Sequence, residues 1–429
     1  MTGRRLSSLL ASVTAAAAGA SILTGCGVLP GATGGSREPV TVMTWAPDQT
    51  RATNMPGMPA MAQAYARWVN SQGGIDGHEL RVLTCNEENT PAGAAACARR
   101  AVRENAVAVV GSYSQNGRAF MAPLEAAGIP YIGGYGLTED EFTSHLSYPV
   151  NGGLASLIAG HGMQLAEDCR KVSLVRPDTL AGDRLPKLLD AGLKKASKRG
   201  AVDIPAVEDA TEYTEQAASA RDKAGTEDGC VAAVLGERTQ TFFDSFRRLP
   251  KAAGGAQAAD GEDDAAESVR ISSVLGSVGQ PVIDRTGGAR SPFEGAYVTG
   301  WYPEADDKSW DPMRKVIQEH AFADNRVDPT DTGVQTTWIA YTVLKEVIES
   351  LDKDTITSSR ITEALDRGTQ VDTGGLTPKL RWMYEDLLGA PDFPRIVNHE
   401  VTFQVVRKGR LVAQKPGFVD VGPTVSSGG

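Results

Sequence analysis

Hydroxyl and amide side chains follow the apolar run Ala106–Gly111, which reads AVAVVG and is typical of a buried strand. The next residues include Ser112, Ser114 and Gln115, and a helix-length stretch comes after them. In open α/β sheets ligands bind at the carboxyl ends of the strands, and free N–H groups at a helix N-terminus attract anions. These residues therefore predict a cradle for a carboxylate or similar anion. The alternative is that the hydroxyls only cap the helix.

Three more residues lie at the ends of predicted strands. Trp45 and Gln49 follow the first strand, and Tyr135 follows the strand IPYIGG. Aromatic walls with a few polar groups suit a small-molecule cleft. Each of these side chains is equally compatible with a place in the core or at the rim.

Residues for catalysis or metal binding do not form recognisable motifs. The chain has five histidines, at positions 78, 145, 161, 320 and 399, and it has no HExxH, GxSxG, CxxC or Walker pattern. Asp48, Asp140 and Asp178 are isolated carboxylates near loops, which are usually solvated. We therefore expect no enzyme, no metal and no cofactor, with a lipid-anchored hydrolase as a remote alternative. His161 and His320 are expected at the surface or as hydrogen-bonded core residues.

The N-terminus has the pattern of an export signal. Arg4 and Arg5 precede an apolar stretch that ends in Leu23-Thr24-Gly25-Cys26, which predicts a signal peptide over residues 1–25. The last four residues look like a bacterial lipobox, in which the cysteine is acylated and anchors the chain at the outer face of the cytoplasmic membrane. The alternative is an ordinary signal peptide with a coincidental cysteine. The Gly/Pro/Ser-rich residues 26–39 are expected to be a flexible tether, with folding from Val40.

Charge argues against a polyanionic partner. Of the 43 Lys and Arg residues two lie in the predicted signal, which leaves 41 against 53 Asp and Glu, a net charge of −12. An acidic chain repels nucleic acid and anionic lipid. We expect no nucleic-acid binding.

The remaining elements alternate between buried strands and helices. Strands are predicted at VTVMTW, ELRVLT, AVAVVG and IPYIGG, and a second series follows at KVSLV, CVAAVLG and RISSVLG. This alternation predicts an α/β fold with parallel sheets in two lobes. Thr90 and Pro91 predict a helix start, and Lys408-Gly409 predicts a hairpin turn. Residues 252–267 are expected to be a mobile acidic insertion, and residues 422–429 a disordered tail.

The block from Trp68 to Gly136 resembles the first lobe of the type I periplasmic binding proteins of the branched-chain amino-acid class. The GGIDG turn, the T-P helix, the AVVGS strand and the GIPYIGG strand occur in the family's order. The resemblance implies two Rossmann-like lobes with mostly parallel central sheets, joined by a three-strand hinge. It implies a first lobe of residues 40–148 and 302–371 and a second of 149–301 and 372–421. The crossings are expected near 148–151, 300–303 and 371–376.

By the same resemblance, the family's carboxylate cradle falls on Ser112 to Gln115 and on Gly136 and Thr138. In the second lobe the corresponding strand ends carry Thr179, Glu237 and Ser277. The family's amino-acid binders hold the ligand ammonium with an acid where this chain has Ser277, and Glu237 is the candidate substitute. An amide, a peptide fragment or another polar metabolite is therefore as open as a plain amino acid.

Cysteine usage fits an exported chain. Besides Cys26 there are four cysteines, and an even number outside the cell suggests disulfides, although composition does not give their connectivity. Related binding proteins often carry a bridge where Cys85 and Cys97 lie, and Cys169 and Cys230 precede two strands of the second lobe. We predict these two pairs. The alternative is four free thiols.

Together these features predict a lipid-anchored, monomeric solute-binding protein. It would capture a small polar ligand and deliver it to the permease of an ABC transporter. A ligand sensor with the same two-lobed shape is the main alternative. The lack of a signalling or membrane-spanning segment in the sequence favours delivery.

Overall fold

The computed structural model describes residues 37–50, 53–179, 182–207, 209–225, 228–250, 269–351 and 354–428. The predicted signal peptide, Cys26, the tether before Arg37 and the acidic insertion at 252–267 lie outside these ranges. No described helix is long and apolar enough to cross a membrane.

The first lobe is built on a five-stranded parallel sheet. Its strands follow the order β2-β1-β3-β4-β5. The strands are β1 (Arg37–Ala46), β2 (His78–Asn86), β3 (Ala108–Val110), β4 (Tyr131–Ile132) and β5 (Ser147–Tyr148). Strand β1 begins at Arg37 rather than at Val40, because Arg37 pairs with His78 and also forms a salt bridge with Asp76 at 2.7 Å.

Four helices connect these strands: α1 (Gly57–Ser71), α2 (Pro91–Arg103), α3 (Gly117–Ala127) and α4 (Asp140–Thr143). The start of α2 is as predicted. The Thr90 side chain accepts a hydrogen bond from the backbone N–H of Gly93 at 3.0 Å, and Pro91 is the first helical residue.

The second lobe contains a larger, mixed sheet. The main path is β12-β11-β10-β9-β8-β6-β7, and β13 pairs with β11. Strands β6 to β10 run parallel, and β11 to β13 add antiparallel pairs. The strands are β6 (Lys171–Pro177), β7 (Val202–Ala206), β8 (Gly229–Ala233), β9 (Arg270–Val274), β10 (Tyr297–Gly300), β11 (Glu400–Arg407), β12 (Arg410–Ala413) and β13 (Val419–Asp420).

The predicted C-terminal hairpin is confirmed between β11 and β12. Lys408 and Gly409 form the turn, and both have positive φ angles, 53° and 74°. Two consecutive residues with positive φ give the turn a twist that matches the twist of the two paired strands.

Helices of the second lobe are α5 (Gly153–Asp168), α6 (Leu185–Lys195), α7 (Thr214–Ala224), α8 (Thr239–Arg247) and α9 (Gln280–Arg285). The chain then forms α10 (Asp311–His320), α11 (Thr332–Leu351) and α12 (Ser358–Asp366). Helices α10 and α11 pack on α1, which returns this part of the chain to the first lobe.

The C-terminal tail is ordered, contrary to the prediction. Residues Gly422–Gly428 form α13, which packs on α5 and α6. Thr424 and Val425 are buried. The Gly and Ser content suggested a disordered tail, but the two buried side chains hold the helix against the lobe.

Three segments connect the two sheets, and the third lies later than predicted. The first follows β5 and the second follows β10. Val371 pairs with Leu380, and Arg395 donates hydrogen bonds to the carbonyls of Phe142 and Ser147 at 3.0 Å. The chain enters the second sheet only at Glu400. Residues 372–398 therefore belong to the first lobe rather than the second, because Arg395 is hydrogen-bonded to first-lobe residues.

Both predicted disulfides are present, Cys85–Cys97 and Cys169–Cys230. The first fixes α2 to β2. The second joins the N-terminal ends of two neighbouring strands of the second sheet, with Cα atoms 5.8 Å apart.

Candidate ligand-binding cleft

A cavity of about 1270 Å³ lies between the two lobes, at the carboxyl edges of both sheets. Its first-lobe wall is formed by residues that follow β1, β3 and β4, together with the start of α11. Its second-lobe wall is formed by residues that follow β6, β8, β9 and β10. This is the edge at which open α/β sheets bind ligands.

Six of the eleven residues predicted from the sequence to contact a ligand line this cavity. They are Gln115, Tyr135, Gly136, Thr138, Thr179 and Ser277. Glu237 follows Gly236, which also lines the cavity, but the Glu237 side chain is outside the described part of the structure.

Four other predicted residues do not line the cavity. Trp45 is fully buried, with its ring 5.4 Å from that of Phe120. Ser112 accepts a hydrogen bond from the backbone N–H of Trp45 at 3.0 Å, so its hydroxyl connects β1 to β3. Gln49 is exposed, in a turn with φ of 59°. The strand-end position of these residues is as expected, but their side chains turn away from the ligand space.

Ser114 is the fourth. Its hydroxyl donates to the Glu87 carboxylate at 2.8 Å and accepts from the backbone N–H of Asn116 at 3.0 Å. Glu87 is fully buried, and this burial raises the pKa of its carboxyl group. Ser114 therefore stabilises a buried acid behind the cavity wall.

The backbone cradle after β4 is occupied by a carboxylate of the chain itself. Glu141 accepts hydrogen bonds at 3.0 Å from the N–H groups of Gly136, Leu137 and Thr138, and another at 3.1 Å from the Thr138 hydroxyl. Burial raises the pKa of Glu141, while the hydrogen bonds act in the opposite direction. The sequence analysis predicted a cradle for a ligand carboxylate at Gly136 and Thr138, whereas in the structure their N–H groups are hydrogen-bonded to Glu141.

A second carboxylate lies at the N-terminus of α3. If Gly117 had a Cβ atom, it would be 2.8 Å from a carboxylate oxygen of Asp140 and 2.2 Å from the Thr138 hydroxyl. Gly117 and Asp140 both line the cavity. The positive end of this helix thus already faces an acid.

The floor of the cavity is aromatic. The Tyr135 ring is 5.1 Å from that of Tyr113 and 5.2 Å from that of Trp301. Trp301 donates its indole N–H to the carbonyl of Gly153 at 2.9 Å. All three rings line the cavity although little of their surface is exposed.

Asp331 is a candidate site residue that was not among the sequence predictions. It lines the cavity directly before α11, and its carboxylate accepts a hydrogen bond from the Val334 N–H at 3.0 Å. Burial raises the pKa of Asp331, and the nearby Asp328 raises it further. Asp is a favoured N-cap residue, but nothing in the sequence links this turn to the ends of β3 and β4.

The rim of the cavity carries an ion pair between the lobes. Arg184, which follows β6, lies 3.2 Å from the Glu139 carboxylate of the first lobe and 3.8 Å from that of Asp392. Arg118 and Arg285 also line the cavity, and both are exposed. The arginines are thus exposed at the rim, whereas Asp331 is partly buried.

Hydrogen bonds connect the segments that cross between the lobes. Asn151 donates to the Tyr302 hydroxyl at 3.0 Å, and that hydroxyl is also 3.0 Å from the Thr336 hydroxyl. Asn398 donates to the carbonyl of Val150 at 3.0 Å. Each segment therefore has a hydrogen-bonded partner in another, an arrangement suited to a hinge.

Solved structures share this architecture at low sequence identity. A branched-chain amino-acid ABC transporter protein from Thermus thermophilus, with bound valine, superposes with a TM-score of 0.67 at 14% identity, over 91% of this chain and 99% of that one. A solute-binding protein from R. palustris in complex with 4-hydroxybenzoate gives 0.67 at 13% identity, over 89% and 97%. A fatty acid ABC transporter substrate-binding protein from Thermomonospora curvata gives 0.67 at 12%, over 90% and 94%.

The sequence itself carries a family match. No curated protein sequence matches the chain significantly. The family model described as periplasmic binding protein matches residues 50–386, which is most of the chain. The resemblance seen from Trp68 to Gly136 and the expectation of a binding protein rather than an enzyme are both confirmed. The chain belongs to the periplasmic binding protein family.

Proposed function

We propose that this protein is a lipid-anchored, extracytoplasmic solute-binding protein that captures a small organic ligand between its lobes and delivers it to an ABC permease. The observation that carries the proposal is the cavity itself. Both lobes contribute walls to it, and the connecting segments are few and hydrogen-bonded to one another. A ligand that contacts both walls favours the closed arrangement of the lobes.

The solved structures support the same class of function without defining the ligand. Their bound or named ligands are valine, 4-hydroxybenzoate and fatty acid. These differ in charge and in size, so the fold accepts several chemistries, and ligand choice depends on the side chains that line the cavity.

The direct test is thermal unfolding of the protein from Ser36 onward, in the presence of amino acids, amides, short peptides, amines, aromatic acids and fatty acids. A compound that binds only the folded state raises the unfolding temperature. We expect at least one compound to do so without being converted. Flat curves across the whole set, or chemical turnover of a compound that binds, would contradict the proposal.

The lipid anchor is tested separately at Cys26. Mass spectrometry of the N-terminal peptide should find an acylated cysteine, and Cys26→Ser should release the protein from the membrane fraction. Cys26 carrying no lipid would overturn the anchor and leave ligand binding untouched.

A further inference from the structure

The charges around the cavity restrict what kind of ligand it accepts. Both backbone sites that would attract a ligand anion in the first lobe hold acids of the chain itself. Glu141 fills the cradle from Gly136 to Thr138, and Asp140 lies at the N-terminus of α3. A ligand carboxylate at either place would meet a like charge at short range.

Asp331 has no cationic partner among the described residues. Its carboxylate is hydrogen-bonded to backbone N–H groups of its own helix, and the other charged group acting on it is the acid Asp328. Asp331 is partly buried, and a carboxylate shielded from water is costly unless it is paired. Asp331 thus lies where a positive group from outside the chain would be stabilised.

The surroundings of Asp331 also suit a cation. Asp331 and Tyr135 line the same cavity, and burial together with the charge of Asp331 raises the pKa of the Tyr135 hydroxyl. The rings of Tyr113 and Trp301 lie at 57° and 84° to that of Tyr135, so the aromatic floor presents both faces and edges to the cavity that Asp331 also lines. Ammonium groups bind favourably over aromatic faces, and more strongly where water is excluded.

The rest of the cavity is largely apolar on its second-lobe side. Side chains that follow β6, β8 and β9 present aliphatic groups to it, among them Leu188, Val234, Leu235, Leu275 and Val282. This wall would accept an aliphatic or aromatic body, while the arginines that line the cavity are exposed to solvent.

We infer that the cleft selects an organic cation, a ligand whose ammonium group binds the Asp331 carboxylate beside Tyr135 and whose apolar body packs on the second lobe. This inference rests on the proposed function. It narrows the ligand class, and it differs from the anion cradle that the sequence suggested at the same edge of the sheet.

The test uses matched probes that differ only in the head group. The probes combine one of three apolar groups with an ammonium, a hydroxyl or a carboxylate head group. The apolar groups are n-hexyl, 2-phenylethyl and 2-(indol-3-yl)ethyl. Phenylalanine is added as a zwitterion with an aromatic side chain. Calorimetry on the purified protein should give at least tenfold tighter binding for the ammonium form of the preferred body. Phenylalanine should bind no more tightly than 2-phenylethylamine, because no cradle is free for its carboxylate.

Two variants locate the cation. Asp331→Asn keeps an N-cap residue before α11 and removes the charge, so it should fold normally and weaken the amine at least tenfold. Asp328→Asn removes the same charge from the same turn, outside the cavity wall, and should change binding less than threefold. Circular dichroism melting without ligand verifies that both variants fold.

The outcomes separate the two proposals. Preference for the carboxylate or hydroxyl series, a phenylalanine tenfold tighter than its amine, or a ligand from the wider screen that Asp331→Asn leaves unaffected would overturn the cation inference and leave the solute-binding function standing. A complete lack of binding, both here and in the wider screen, would overturn both.

Discussion

The hydroxyl of Tyr135 in the first lobe lies against Gly276 in the second. A Cβ atom at Gly276 would come within 2.7 Å of that oxygen. Gly276 also has a φ angle of 90°, which residues other than glycine rarely adopt. Glycine is therefore required here both for the turn after β9 and for the approach of the two lobes. Tyr135 and Gly276 therefore form a point of contact between the two lobes.

Gly276→Ala should hinder closure. We expect ligand affinity to fall at least tenfold, since the methyl group and the Tyr135 hydroxyl cannot occupy the same space. Calorimetry with a ligand from the screen measures the affinity, and small-angle scattering with and without ligand measures closure. Gly279→Ala is the matched control, because its Cβ would meet no atom closer than 3.7 Å.

A double variant separates the steric effect from backbone strain. Tyr135→Phe removes the hydroxyl and keeps the ring, so Gly276→Ala combined with Tyr135→Phe should recover part of the affinity. The remaining deficit would reflect the positive φ. A double variant no better than Gly276→Ala would show that the contact is not what limits closure.

Glu141 should be essential to the loop after β4. Glu141→Ala leaves three backbone N–H groups without their acceptor, and we expect the free energy of unfolding to fall by roughly 3 kcal/mol in urea titration. Acetate at millimolar concentration should restore part of this loss by entering the vacated cradle, while chloride at equal ionic strength should not. Glu139→Ala, at an exposed neighbouring acid, should change stability by less than about 1 kcal/mol. An Ala variant as stable as wild type, or one indifferent to acetate, would contradict this role.

The sequence predicts where strands end better than where their side chains point. The apolar runs and their spacing were enough to predict most strands of both sheets, but β5, β7 and β13 were not among them. Ser114 was expected to face the ligand because it follows β3, yet it donates to Glu87, a residue 27 positions earlier whose burial no local pattern reveals. Asp331 reaches the cavity only because α11 returns to the first lobe. Contacts of this kind depend on how distant segments pack, so they appear only in the folded chain.

His161 should make stability depend on pH. It lies in α5 and is fully buried, with its ring nitrogens 3.0 Å from the Thr299 hydroxyl and 3.1 Å from the Ser272 hydroxyl. His161 is therefore a hydrogen-bonded core residue, which was one of the two locations expected for it from the sequence. Burial lowers the pKa of His161 to about 3, from an ordinary 6.5. Between these values the unfolded chain binds a proton that the folded chain does not.

Stability should therefore fall as the pH decreases from 6.5 towards 3, by up to roughly 1.4 kcal/mol per pH unit from this residue. Buried acids with raised pKa, such as Glu141, act in the opposite direction, so the wild type alone is not decisive. His161→Gln keeps a neutral hydrogen-bonding side chain and removes the titration. Urea titrations at pH 7, 6, 5 and 4 should show wild type losing stability relative to the variant, and parallel curves would mean that His161 titrates normally.

The two disulfides should contribute unequally. Cys169–Cys230 closes a separation of 61 residues and Cys85–Cys97 one of 12. A crosslink lowers the chain entropy of the unfolded state, and this loss grows with the logarithm of the loop length. The resulting stabilisation is about 4 kcal/mol for Cys169–Cys230 and about 3 kcal/mol for Cys85–Cys97. The double variants Cys169→Ala with Cys230→Ala, and Cys85→Ala with Cys97→Ala, avoid lone thiols and compare the two directly by urea unfolding. The larger loss should come from the second-lobe pair, and a reversed order would mean that packing around α2, rather than loop length, dominates.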